Sequence, residues 1–413
     1  MSPPDLKRAA DAVAYLRKPE TIRARAGRLM ALAEQGALSQ FSYHPERLEA
    51  AVAYVADEIR RNYPELAVPY HSRWRHFEAG GADRWASLAP AVADRAERAR
   101  VRIDLAVTSV LLDAGAGPTW SYREAGSARV FARSEGLAVA SFAMFAAGGF
   151  SARRDRPLRA DAVALTRLTE ADLERAFQVN ADNPLVGTDG RTALMNRLGQ
   201  ALSARSDLFG ADEPRVGNLY DALAARAPDG RLPAAAVLAT VLDGLSTIWP
   251  GRIALGSLNL GDVWRHPAIH TDDLTDGLMP FHKLSQWLTY SLLEPLEEAG
   301  IAVTELDALT GLPEYRNGGL FLDLGVLAPR EPGALERIHG VGDVFVVELR
   351  ALTVALLDRV AAQVRDMLGV TAEALPLASV LQGGTWSAGR RIAAELRYGG
   401  APPIRLDSDG TVF

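Results

Sequence analysis

Cysteine is absent from all 413 residues. That excludes disulfides, a thiol nucleophile, an iron–sulfur cluster and a cysteine-ligated zinc site, and it is compatible with a cytoplasmic location, which is our expectation. Long hydrophobic runs are missing too. The longest, Leu137 to Phe150, falls short of the roughly 18 apolar residues of a membrane span and is bracketed by Arg133, Glu135 and Arg153. The start of the chain, Met1 to Leu16, is charged and helical in pattern, without the apolar core of a secretory leader. Positive charge is not in excess: 45 Lys and Arg against 51 Asp and Glu give a net charge of −6. An acidic chain is a poor electrostatic partner for nucleic acid. Gly115-Ala-Gly-Pro118 lacks the Lys-Ser/Thr ending of a phosphate loop, and no Gly-x-Ser-x-Gly nucleophile elbow occurs. No repeat, low-complexity tract or flexible interdomain linker stands out. We therefore expect no nucleic-acid partner, no membrane partner and no cofactor.

What is present is ordinary globular material, 48% hydrophobic and 23% charged, in a chain long enough to bury a large core. The patterning is mainly helical. Pro19 opens an apolar-periodic segment that stops at Gly36, and Pro45 opens another that ends near Pro64. Leu88 to Leu112 reads as one long helix or as two broken near Pro90. Thr169-Glu-Ala-Asp172 is close to a capping box. Leu232–Ile248 and Pro280–Leu296 are further helices. Strand signals are few. The clearest is Pro403–Phe413, where Ile404 and Leu406 alternate with polar residues and Asp409-Gly410 is a hairpin dipeptide. The reading is one mainly α domain over residues 1–413, with a short C-terminal β element.

Polar residues in apolar surroundings are the functional signal. Asp262, Arg265 and His266 flank Trp264. His282 and Lys283 lie in the first turn of the helix that Pro280 opens. A lysine there opposes the helix dipole unless an anion sits beside the free N–H groups; a solvated surface lysine is the plain alternative. Glu314, Arg316, Asn317 and Asp323 are embedded in apolar residues, and Gly318-Gly319 allows unusual backbone angles or close ligand approach. Taken alone, these residues are explained better by a buried ion pair with a tight turn. Glu348 and Arg350 interrupt an apolar segment, and buried charges need partners. Trp386 follows Gly383-Gly384 and suits either a ligand-lining turn or a helix entry. His266 and His270 are spaced as a metal pair, but Pro267 lies between them and no third ligand has obvious spacing. The Arg73-Trp-Arg-His-Phe77 cluster either reaches a pocket or coats the surface.

The blocks Asp113-Ala-Gly-Ala-Gly-Pro-Thr-Trp-Ser-Tyr-Arg-Glu124, Ser134-Glu-Gly-Leu137, Asn183-Pro-Leu-Val-Gly187, Pro280-Phe-His-Lys-Leu-Ser-Gln-Trp287, Glu314-Tyr-Arg-Asn-Gly-Gly319, Gln382-Gly-Gly-Thr-Trp386 and Ser408-Asp-Gly-Thr-Val-Phe413 resemble the uracil-catabolism proteins long filed as a domain of unknown function. That family is associated with a microbial route through a ribosylurea intermediate. By this resemblance residues 111–413 carry the motifs and residues 1–110 form an N-terminal helical part. A more distant likeness is to the queuosine-salvage N-glycosidases, through Pro280-Phe-His-Lys-Leu-Ser-Gln286, Pro313-Glu-Tyr-Arg-Asn317 and Glu348-Leu-Arg-Ala351. It implies a helical fold similar to DNA glycosylases, with the catalytic acid on Glu314 and the phosphate-side lysine on Lys283. Glu replaces Asp and His282 replaces Tyr, and the purine-like base pocket does not carry over.

The resemblance implies an N-ribosidase acting on ribosylurea 5-phosphate or a related ribosyl phosphate. Glu314 and His282 are the expected catalytic residues. Lys283, Arg316, Asn317, Glu348, Arg350 and Trp386 are expected to bind substrate, with Glu348 and Arg350 holding Glu314 and Arg316. The alternatives are a metal-dependent C–N hydrolase using His266, His270 and Asp262, and a non-enzymatic accessory subunit. Oligomeric state is open.

Overall fold

A computed structural model describes residues 6–113 and 115–407. It is mainly helical, with strands of two or three residues that pair in twos among the described residues. The expected helices form where apolar periodicity and punctuation agree. Pro19–Glu34 has proline in its first turn and Gly36 in the left-handed region after it. Pro45–Arg47 is a 3₁₀ turn leading into Leu48–Asn62. The chain does break near Pro90: Ala89–Ala91 is a 3₁₀ turn, and Asp94 then caps Arg95–Leu111 by accepting the Glu97 N–H. Thr169 and Asp172 form the capping box. The apolar stretch from Leu137 is the buried part of Arg133–Ala146, and no described helix is long and apolar enough to cross a membrane.

One expectation is corrected. Pro280 does not open the helix expected over Pro280–Leu296; it ends a strand, Leu278–Pro280, that pairs antiparallel with Val263–Arg265. The helix begins at Lys283, after His282 has turned through φ +48°. The C-terminal strand, Arg405–Asp407, pairs in parallel with Ile338–Gly340. Asp409-Gly410 and the block Ser408–Phe413 lie outside the described residues.

The helix Val344–Leu368 runs through the core and packs on Pro19–Glu34 and Leu48–Asn62. Lys283–Glu298 packs on Arg95–Leu111, and Tyr315–Asp323 on Trp386–Leu396. One cluster of buried apolar side chains extends from Ile22 to Ile404, drawing on both ends of the chain. In this core, fully buried Arg350 ties three segments together. Its guanidinium donates to both oxygens of Asp262 at 2.8 Å and through Nε to the Pro313 carbonyl at 3.2 Å, and it lies 4.0 Å from the centre of the Phe281 ring. Asp262 in turn accepts the Lys283 N–H (3.0 Å) and the Trp264 indole N–H (2.7 Å). The starts of the Lys283 and Tyr315 helices are thereby fixed to each other.

Burial works against ionisation of Asp262, but the Arg350 guanidinium overcomes it and holds the carboxyl well below the ordinary carboxylate range. A carboxyl with a depressed folded pKa stabilises above its unfolded value and loses that contribution as pH falls. Asp262→Asn leaves a buried guanidinium without its counter-charge and is expected to cost about 3–5 kcal/mol in urea unfolding at neutral pH. The wild-type and variant stabilities should converge as pH drops below roughly 4.

Candidate functional site

Glu314 stands immediately before the Tyr315–Asp323 helix and caps it. One carboxylate oxygen accepts the Arg316 N–H and the other the Asn317 N–H, both at 2.7 Å. These are two donors that a helix start leaves without an intrahelical acceptor, so the carboxylate is fixed in direction. It is 7% exposed. Burial pushes its pKa up; the ammonium of Lys283 and the two N–H groups act in the opposite sense. Asn317 donates to the Leu312 carbonyl at 3.0 Å, and its buried Oδ1 has no hydrogen-bond partner.

Lys283 is the first residue of its helix. Its side chain enters no hydrogen bond or ion pair among the described residues, lies 5.9 Å from the centre of the Trp287 ring and keeps some accessible surface. Burial lowers its pKa, while Glu314 and Asp113 raise it. An ammonium with no ion-pair partner among the described residues, within electrostatic reach of the Glu314 and Asp113 carboxylates, is the polar centre of the site.

Around it stand residues that sequence reasoning did not single out as site residues. Asp113 pairs with buried Arg73 at 2.5 Å, and Arg73 also donates to Ser109 at 2.7 Å and lies 5.7 Å from the Trp287 ring centre. His76 touches both Trp287 and Trp386, with ring centres 5.7 and 5.8 Å away. His71 does the same at 6.4 and 5.2 Å, and its Nδ1 meets Gln382 Oε1 at 2.9 Å. Glu135 pairs with Arg390, whose guanidinium lies 4.8 Å from the Trp386 ring centre. The Arg73–Phe77 segment therefore reaches the interior. Its density of charge and aromatics was the available signal, as were the positions of Asp113 and Trp287 inside the shared blocks. Trp386 lies at this site and also lines an open cleft of about 560 Å³ with Tyr63, Arg390 and Arg391.

Other expected site residues are placed elsewhere. His282 is buried on a different side: its Nε2 meets the Leu16 carbonyl at 3.2 Å, and it faces Asp262 and Arg17 rather than Glu314. Arg316 donates to the Gly400 carbonyl at 2.9 Å. Glu348 does not hold Arg316; it accepts the N–H groups of Gln40 (3.0 Å) and Phe41 (2.8 Å) and meets His266 at 3.3 Å. Arg350 is tied to the Glu314 segment through the Pro313 carbonyl. Asp323 is bound to Arg397. Gly318 and Gly319 are helical, and their lack of Cβ admits Thr353 and Pro403, with an added Cβ meeting them at 3.1 and 2.9 Å. The His266, His270 and Asp262 set is not assembled: His266 faces Glu348, His270 is exposed, and Asp262 binds Arg350. Among the described residues no three metal-ligating side chains gather.

Three buried imidazoles are held neutral. Burial lowers the pKa of His71 to about 3 and those of His76 and His282 to about 4. The unfolded chain takes up these protons near pH 6.5 whereas the folded protein does not, so stability falls as pH drops from there. Each imidazole contributes a slope of up to about 1.4 kcal/mol per pH unit. His282→Asn tolerates the left-handed backbone. Its unfolding free energy, measured between pH 7 and 4.5, should fall less steeply than that of wild type by one such contribution.

Comparison with known proteins sets this arrangement in context. A family model described as "Protein of unknown function (DUF1688)" matches residues 15–413. "Protein urg3" of Schizosaccharomyces pombe is 38% identical over 418 residues, covering 98% of this chain and 100% of the relative. "Uracil catabolism protein 4" of Lachancea kluyveri is 38% identical over 439 residues, covering 97% and 99%. The chain belongs to the DUF1688 family.

Proposed function

We propose that the protein acts in uracil catabolism as an N-ribosidase, hydrolysing ribosylurea 5-phosphate, or a related ribosyl-phosphate N-glycoside, to urea and ribose 5-phosphate. The pathway is suggested by the name of the Lachancea kluyveri relative. The chemistry rests on one observation: a buried carboxylate, Glu314, fixed by two helix N–H groups beside an ammonium that has no ion-pair partner among the described residues.

In the reaction the bond between C1′ and the urea nitrogen breaks, and its electron pair leaves with the nitrogen. Positive charge builds on the ribose ring, and a carboxylate held close to C1′ stabilises it. Water adds its oxygen to C1′. Glu314, with affinity for a proton raised by burial, takes the proton from that water, and the departing nitrogen gains one proton overall. The two helix N–H bonds keep the carboxylate from turning away. Lys283 is the unpaired cation available to the phosphate of the substrate. His282, facing Leu16 and Asp262, has no part in this scheme.

Urea release from ribosylurea 5-phosphate tests the proposal. Purified wild-type protein should produce urea, and Glu314→Gln should lose about 10²–10⁴-fold in kcat while still binding ribose 5-phosphate. Folded, concentrated wild-type protein that yields no urea would rule the reaction out.

A further inference from the structure

Beside Glu314 and Lys283 lies a group of side chains to which the reaction scheme gives no role. Trp287, His71, Trp386 and His76 form a closed ring of contacts, since each imidazole touches both indoles at ring-centre distances of 5.2 to 6.4 Å. Of these, His71, His76 and Trp287 are no more than 5% exposed. Polar atoms at this ring find no hydrogen-bond partner among the described residues: His76 Nδ1, Trp287 Nε1 and Nη2 of the fully buried Arg73. Unsatisfied buried polar atoms each cost about 1–3 kcal/mol, and three of them around one indole call for a ligand that completes them.

The chemistry of that ligand follows from charge and shape. Arg73 is matched by Asp113, and Arg390 by Glu135. Lys283 faces Glu314, so the formal charges of these three cations and three carboxylates cancel. The imidazoles are neutral. A further cation at this ring would meet Arg73 and Arg390, so the ring favours an uncharged group over a cation. Ring faces suit a flat ligand. The unpartnered set holds two donors, Trp287 Nε1–H and Arg73 Nη2–H, and one ring nitrogen, His76 Nδ1; His71 stands beside them. His71 Nδ1 meets the Gln382 oxygen and so carries the hydrogen, which leaves Nε2 with its lone pair. A carbonyl oxygen flanked by N–H groups presents the complementary set.

We propose that the ring formed by His71, His76, Trp287 and Trp386, with Arg73 at its edge, is a binding subsite for a planar, uncharged amide: the ureido leaving group of the N-glycoside. This rests on the N-ribosidase reading. The indole N–H of Trp287 and Nη2–H of Arg73 donate to the ureido oxygen, which gains electron density as the glycosidic bond breaks.

The test uses N-methylurea and its charged isostere methylguanidinium on the uniformly ¹⁵N-labelled wild-type protein. The indole N–H resonance of Trp287 is assigned by its absence from Trp287→Phe, or from Trp287→Tyr should the first variant not fold. Millimolar N-methylurea is expected to shift that resonance saturably, methylguanidinium is not, and Trp287→Phe should bind N-methylurea about tenfold more weakly by calorimetry. Equal responses to the two probes, or no saturable shift with N-methylurea, would overturn the subsite. Because the readout is binding and not turnover, it separates from the failure of the reaction: a protein that binds N-methylurea in this way but releases no urea keeps the subsite and loses the N-ribosidase reading.

Discussion

The ion pair between Arg350 and Asp262 is the constraint on which the site depends. Asp262 sits just before a short strand, Arg350 on the longest described helix, and Lys283 and Pro313 at the starts of two others, yet one guanidinium and one carboxylate join all four. Taking such a pair out of water is costly, and it holds only when geometry and additional hydrogen bonds compensate. Here the carboxylate accepts four hydrogen bonds, from Arg350 twice, Lys283 and Trp264. The return is placement. Lys283 follows the strand Leu278–Pro280 through the left-handed His282, and Glu314 follows a proline whose carbonyl is anchored. Lys283 and Glu314, far apart in sequence, are thereby brought within electrostatic reach of each other.

The site carries unsatisfied groups: among the described residues, Arg73, His76, Trp287 and Asn317 have buried polar atoms without a hydrogen-bond partner. Other buried polar side chains, such as Glu348, Gln286 and Tyr290, are occupied by backbone or side-chain partners. Unmet hydrogen bonds at buried atoms are what a bound ligand can complete.

Much of the helical framework was legible in the sequence, because apolar period, proline at entry and glycine at exit are local signals. The break at Pro90 and the cap at Thr169 are of this kind. The importance of Glu314, Lys283 and Trp386 was visible through the shared blocks and through charge in apolar surroundings. Their partners were not. Glu348 and Arg350 lie two positions apart and invite a joint role beside Glu314, but on a helix residues i and i+2 point in different directions, and one binds the Gln40–Phe41 backbone while the other binds Asp262. His282 adjoins Lys283, yet its left-handed backbone sends the imidazole toward Leu16. Asp113, Arg73 and Trp287 converge only through helix packing, and no spacing in the sequence encodes that.

The most direct measurement is a crystal structure of the protein with ribose 5-phosphate. The account predicts the anomeric carbon against the Glu314 carboxylate, the phosphate on the Lys283 ammonium, and the open side of C1′ turned toward Trp287. A sugar bound in the outer cleft by Arg390 and Arg391, or one whose anomeric carbon faces away from Glu314, would contradict it.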